Sequence, residues 1–378
     1  MKKNNELNKI IKECKNSKTF RQALAYQSHE WFFRLYLNHY MEYPFSWFHK
    51  QMFGLSEHPE INLVVISAFR GAGKSTILNL SMALWSILGK PQKKFVLIIS
   101  QSIFQAKTQI KNIIEELREN ELLINDFDLI NERKLTKNLT MIEFEKLEAK
   151  IIIAITEQSL RGLRYKSKRP DLIICDDLEN KFVTYSRGKN NTKYEWFKED
   201  VLSCGDFNTK IIVLGTPIST SSILFNLMKD ILEERIKGVF KLYPLFDSND
   251  KVLWSEKFKN EDIVSDTIKN IPKDTYLQEY LLKTKDGRVG FSNRKIESIN
   301  KDIHNYESSK ELPGSSAIYY LSDIVREAEK RNKECEESKI LEEKKADELR
   351  KLNQEKNIYE KNKPIDALEE IKRILREK

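Results

Sequence analysis

What this sequence lacks limits what it can be. Its four cysteines, Cys14, Cys175, Cys204 and Cys335, stand too far apart for a CxxC metal pair, and no spacing suggests a disulfide framework. A reducing, intracellular compartment is the expectation. No run of about 18 apolar residues occurs, and the opening MKKNNELNKIIKECKNSK has no apolar core of the kind that marks a signal peptide. Neither export nor a membrane span is expected. No internal repeat is visible.

What is present is a chain of 378 residues, long enough for one large core or for two domains. Its 65 Lys and Arg exceed its 57 Asp and Glu, for a formal charge of +8. That excess favours a polyanion such as nucleic acid as partner, although charges of both signs also suit an ordinary solvated surface.

Residues 1–60 read as a helical, aromatic-rich segment, with Trp31, Phe32, Phe33, Tyr36, Tyr40, Tyr43, Phe45, Trp47 and Phe48 crowded together as a cap on a core. From Ile61 strand-length β-branched runs alternate with helix-length segments, the pattern of an α/β fold with a mainly parallel sheet. The predicted strands are Asn62 to Ser67, Lys94 to Ser100, Ala149 to Thr156, Asp171 to Cys175 and Lys210 to Leu214. Each gives way to polar or glycine residues, so chemistry is expected at the strands' C-terminal edge. An α/β domain is expected over 61–290. Within the remaining 291–378, blocks of Lys and Glu from about Glu329 read as an exposed helix, a weak coiled coil or disorder.

The first strand runs into Ala68-Phe69-Arg70-Gly71-Ala72-Gly73-Lys74-Ser75-Thr76 and then a helix-like ILNLSMALWSIL. This is a Walker A loop in its strand, loop, helix context. Glycines let backbone N–H groups wrap phosphates, and the helix N-terminus adds a favourable dipole. Residues Arg70 to Thr76 would form the cradle for ATP, with Lys74 on the β and γ phosphates and Ser75 on Mg²⁺. Ala68 occupies the first glycine position of the consensus, which is compatible with the loop if its φ is negative.

Further on, RPDLIICDDLE places Asp176, Asp177 and Glu179 at the end of an apolar strand. This is a Walker B arrangement, in which Asp176 would hold Mg²⁺ through water and the next acid would polarise the attacking water. A single capping acid would explain one carboxylate, but not three within four residues. Asp177 is favoured as the base with Glu179 as the rival, since their intrinsic basicities are too similar to decide.

These motifs together resemble the ATPase domain of tailed-phage terminase large subunits. The matching pieces are YPFSWFHKQMF, SAFRGAGKST, VLIISQSIFQAKTQIKNII, ITEQSLRGLRYKSKRPDLIICDDLEN, IIVLGTPIST and DTYLQEYLLKTKDG, in order over roughly residues 20 to 290. The resemblance implies a P-loop NTPase fold of the RecA/ASCE-like type, ATP and Mg²⁺ as cofactors, and ATP hydrolysis driving double-stranded DNA into a capsid.

It also implies roles for single residues. Arg70 would neutralise charge on the transferring phosphoryl group, or anchor the loop. Thr216 would sense the γ phosphate from a strand tip, or serve as a turn residue before Pro217. Arg161 would reach a neighbouring subunit's nucleotide, or act with Arg164, Lys166, Lys168 and Arg169 as a basic cluster on DNA phosphates. Phe48 and Gln51 lie in the segment where the family grips adenine. Ser100 is expected to cap a helix, and Ser100 and Gln101 could alternatively touch DNA or the coupling machinery.

The implied partners are double-stranded DNA, further copies in a homo-oligomeric ring, a portal protein, a small terminase subunit and a separate nuclease. The implied place is the cytoplasm of a bacterial host and, transiently, the procapsid portal. No nuclease is expected in residues 291–378, where no series of apolar strands ends in clustered acids. Two other readings stay open: a helicase-like DNA-dependent ATPase, and a non-catalytic remnant or interaction protein.

Overall fold

The computed structural model describes residues 10–129, 139–179, 187–216, 218–247, 249–258 and 269–283. The charged tail and residues 291–378 generally lie outside them, as does Pro217.

Helices α1 (Lys18–Gln27), α2 (His29–Tyr36) and α3 (Trp47–Glu57) precede strand β1 (Leu63–Ala68). A π-helical turn (Thr76–Ser81) then runs directly into α4 (Met82–Leu88). There follow β2 (Phe95–Ser100), α5 (Ile103–Glu119), α6 (Glu121–Phe127), β3 (Met141–Phe144), β4 (Ala149–Ile155) and β5 (Leu172–Asp176). After them come α7 (Arg187–Trp196), a second π-helical turn (Phe197–Val201), β6 (Lys210–Gly215), α8 (Ile223–Leu232), β7 (Val239–Tyr243) and α9 (Lys273–Glu279).

The strands form one seven-stranded sheet in the order β3-β4-β2-β5-β6-β1-β7. Only the β3–β4 pair is antiparallel. The five predicted strands are all present, each with ends within a residue or so of expectation. Two were not foreseen. β3 is a short edge strand, and β7, VFKLY, is broken in pattern by Lys241, which is nonetheless buried.

Side chains alternate across the sheet as the pleat demands. On β1, Val64 and Ile66 face a large core that contains α2 to α5, whereas Leu63 and Val65 face a second core with Phe197, Val201 and Leu227. Helical cover on both faces accounts for the unbroken apolar runs of β1, β2, β5 and β6.

The N-terminal helices belong to the first of these cores. Phe32, Phe33, Phe48 and Phe53 are buried there beside Ile66 and Leu78, each contributing about 1.5–3 kcal/mol of apolar burial. Polar pins complete the attachment. The Arg21 guanidinium grips Asp126 through two bonds of 2.7 and 2.8 Å, and Tyr36 Oη donates to the same carboxylate at 2.9 Å. Glu57 accepts from Ser28 Oγ and from the N–H groups of His29 and Glu30, and burial pushes its pKa up to about 7. Lys210, starting β6, donates to the carbonyls of His58 and Ile61, and burial pushes it down to about 7.

Candidate functional site

β1 delivers the glycine loop to the C-terminal edge of the sheet. Ala68 is the buried last residue of the strand and is not among the described residues with positive φ, so the missing consensus glycine is not needed. Gly71 and Gly73 do adopt positive φ, 80° and 76°, where a side chain would be strained.

The loop is braced from three sides. Phe69 N–H donates to Tyr243 O at 2.9 Å, Arg70 N–H to Glu279 O at 2.7 Å, and His49 Nε2 to Ala72 O at 3.1 Å. His49 Nδ1 accepts from Ser46 N–H at 3.0 Å, which leaves the ring proton on Nε2. Burial holds this imidazole neutral, with its pKa lowered to about 4. Lys257 adds a cation above the loop. Its Nζ donates to Gly71 O at 3.1 Å while lying over Trp254, and burial lowers its pKa.

Beneath the loop, Ser75 Oγ donates to Asp176 Oδ1 at 3.2 Å. Asn79 Nδ2 and Gln109 Nε2 both donate to Asp176 Oδ2, at 3.0 and 3.1 Å. Asn79 Oδ1 is buried with no hydrogen-bond partner. A hydroxyl, a carboxylate and a spare buried acceptor at the foot of a glycine loop fit the outer contacts of a hydrated Mg²⁺, which keeps most of its waters. Among the described residues no group of three or more His, Cys, Asp or Glu forms a metal cage, and this donor set does not call for one.

Asp177, Glu179 and Thr216 line one cavity of about 230 Å³ together with Gln101, Gln105, Gly215 and Glu279. β5 and β6 are hydrogen-bonded neighbours, so their tips carry these residues side by side. Asp177 takes a left-handed φ of 51°, a conformation that Asp tolerates better than most residues, and its N–H donates to Leu214 O at 3.0 Å. Glu179 is placed differently. Its Oε2 accepts from Ile223 N–H at the start of α8 at 2.8 Å, its Oε1 is buried without a hydrogen-bond partner, and burial raises its pKa to about 7.

Other expected residues lie elsewhere. The Arg70 side chain is exposed at the rim of the loop. Phe48 is wholly buried behind the loop, 5.9 Å in ring centroid from Phe69, and Gln51 accepts from Tyr243 Oη at 2.7 Å. The exposed aromatics of that segment are Tyr43 and Trp47. Arg161 lines a separate cavity of about 290 Å³ with Arg164, Arg169, Asp200 and Ser203. It approaches Glu199 at 4.0 Å.

Ser100 does not cap α5, as had been expected. Ser102 does so, its hydroxyl accepting from Gln105 N–H, while Ser100 Oγ donates to Gln109 Oε1 at 2.6 Å. The cap must directly precede the first helical turn, and Ser100 is still the last residue of β2. Asn79, Gln109, His49 as a brace and Lys257 escaped the sequence reading. One signal was there: Gln101, Gln105 and Gln109 recur every four residues, which places the last two on one helix face.

A mainly parallel sheet with a glycine loop after β1, acids after β5 and one strand between them defines a P-loop-type fold. Solved structures similar to the chain are phage large terminases and their ATPase domains. The large terminase of a thermophilic bacteriophage in complex with ATP-γ-S is 12% identical, with 63% of this chain and 52% of that one covered at a TM-score of 0.39. The bacteriophage HK97 large terminase is 13% identical, with 69% and 47% covered at 0.38. The Thermus phage P74-26 large terminase ATPase domain, in a mutant form, is 13% identical, with 60% and 90% covered at 0.38. The chain thus spans about half the length of the first two. Comparisons with protein-family models and with curated protein sequences find no match.

Proposed function

We propose that this chain is an ATPase that hydrolyses ATP to move double-stranded DNA, the motor part of a terminase large subunit. The observation that carries the reading is the Ser75–Asp176 pair beneath a doubly glycine-kinked loop, with Asp177 and Thr216 at the adjacent strand tips.

In this reading the backbone N–H groups of the glycine loop, where it enters the following helix, and Lys74 hold the β and γ phosphates. Ser75 and Asp176 are the residues that would hold Mg²⁺, which when bound would neutralise phosphate charge. Asp177 orients the attacking water and takes its proton. Glu179, tied to the N-terminus of α8, keeps the Asp177 turn and that helix in register. Thr216 senses the γ phosphate, and Arg70 and Lys257 add positive charge from the rim. The Arg161, Arg164 and Arg169 cluster meets the DNA backbone without reading sequence.

Assembly as a homo-oligomeric ring on a portal, with a small subunit, completes the proposal. The deciding experiment is steady-state ATP hydrolysis with Mg²⁺, with and without double-stranded DNA, beside Lys74→Ala. Lys74-dependent turnover that rises with DNA supports the motor. Turnover no greater than that of Lys74→Ala removes its biochemical basis.

A further inference from the structure

Asp176 is held by more than the loop above it. A carboxylate only accepts, so Gln109 must present its amide nitrogen to Oδ2, which turns its Oε1 toward Ser100 and makes the Ser100 hydroxyl the donor. Ser100 is itself fixed, because its carbonyl accepts from Thr156 N–H at 3.0 Å across the tips of β2 and β4. Both Ser100 and Asp176 are buried, where such bonds are directional and costly to break. The amide of Gln109 therefore has one orientation, locked from the strand on its far side, and it aims a donor at the oxygen of Asp176 that does not face Ser75.

The geometry points to Gln109 as a positioning residue for the metal-holding carboxylate, oriented in turn by Ser100. This rests on the nucleotide-site reading above. With Asn79, Gln109 holds the Asp176 plane so that Oδ1 faces Ser75 and the phosphate side. Without it one of the two donors to Oδ2 is gone and the carboxylate is free to turn away from the cation's water shell. The side-chain hydrogen bonds of Gln109 go to Ser100 and Asp176 and not to the loop that cradles the phosphates, so the cost falls on metal affinity and not on nucleotide affinity as such.

The test is Mg²⁺ titration of nucleotide binding by the full chain, with ADP followed by calorimetry in the presence and absence of the metal. Gln109→Met keeps the length of the side chain and removes both hydrogen bonds. It is expected to raise the Mg²⁺ midpoint about 10–100-fold, the usual cost of losing an outer contact to a metal ligand, with metal-free ADP affinity unchanged. Ser100→Ala, which only unlocks the amide, is expected to shift the midpoint in the same direction by less. Midpoints equal to wild type in both variants overturn the proposal alone, as does a loss of metal-free ADP affinity that matches the shift. A wild-type chain whose ADP binding ignores Mg²⁺ overturns the nucleotide-site reading and the proposal with it.

Discussion

At the scale of single residues, the site is supported by buried groups that titrate away from their ordinary ranges. His49 stays neutral down to about pH 4 because it is buried under the loop. An unfolded imidazole takes up its proton near pH 6.5, so the unfolded chain gains protons that the native state refuses, and stability is lost as pH falls from about 6.5 to 4. His49→Gln keeps a donor for Ala72 O and removes that titration. Chemical denaturation across this range is expected to show a pH slope shallower than wild type by up to about 1.4 kcal/mol per pH unit.

The two acids after β5 carry separate predictions. Asp177→Asn, which also tolerates a left-handed φ, is expected to lower kcat by about 10²–10⁴-fold with ADP binding retained, the usual weight of a general base. Glu179→Gln is expected to cost far less in kcat. Because the folded pKa of Glu179 is raised to about 7, its native carboxyl holds a proton that the unfolded one releases above about 4.5, so its ionisation opposes folding as pH rises through 7. Glu179→Gln is therefore expected to raise Tm more at pH 8 than at pH 5. That Ser75 stands beside Asp176 could be read from the sequence, since the Walker A and Walker B motifs predict that the two meet. The orientation of Gln109 could not, because it depends on a hydroxyl nine residues away reached through the fold.

Among the elements, the five central strands could be read because each carries a long apolar run, backed in β1, β2, β5 and β6 by burial on both faces. β7 escaped because a buried Lys241 interrupts its pattern, and β3 because four edge residues carry little signal. The α5 cap shows how a reading of the right element can still miss the right residue: two serines stand two apart, and only the strand's end decides between them. Ser102→Ala is expected to destabilise the protein by about 1 kcal/mol, as loss of an N-cap does, and to leave the Mg²⁺ midpoint for ADP binding unchanged. That contrast with Ser100→Ala is measurable by thermal melts and the same titration.

For the whole molecule, the aromatic N-terminal segment proves to share the sheet's larger core, so these helices and the sheet depend on each other. Phe33→Ala, in the middle of that shared core, is expected to cost about 3–5 kcal/mol in equilibrium unfolding. The arginines around the second cavity carry a prediction of the same scale. If they meet a DNA backbone, Arg164→Ala and Arg169→Ala each weaken binding regardless of sequence and flatten the dependence on log salt by roughly 0.9 per lost contact. Filter binding over a salt series would show it.

The strand order also bears on when this site can exist during synthesis. β1 lies between β6 and β7, and the N–H of Arg70 needs the carbonyl of Glu279. At bacterial and eukaryotic elongation rates the glycine loop therefore waits about 10–40 s after its own translation for the chain that closes it. Until β6 is translated, β1 is an apolar strand with both edges open, so nascent chains stalled before β6 are the forms for which ribosome-bound chaperones matter most.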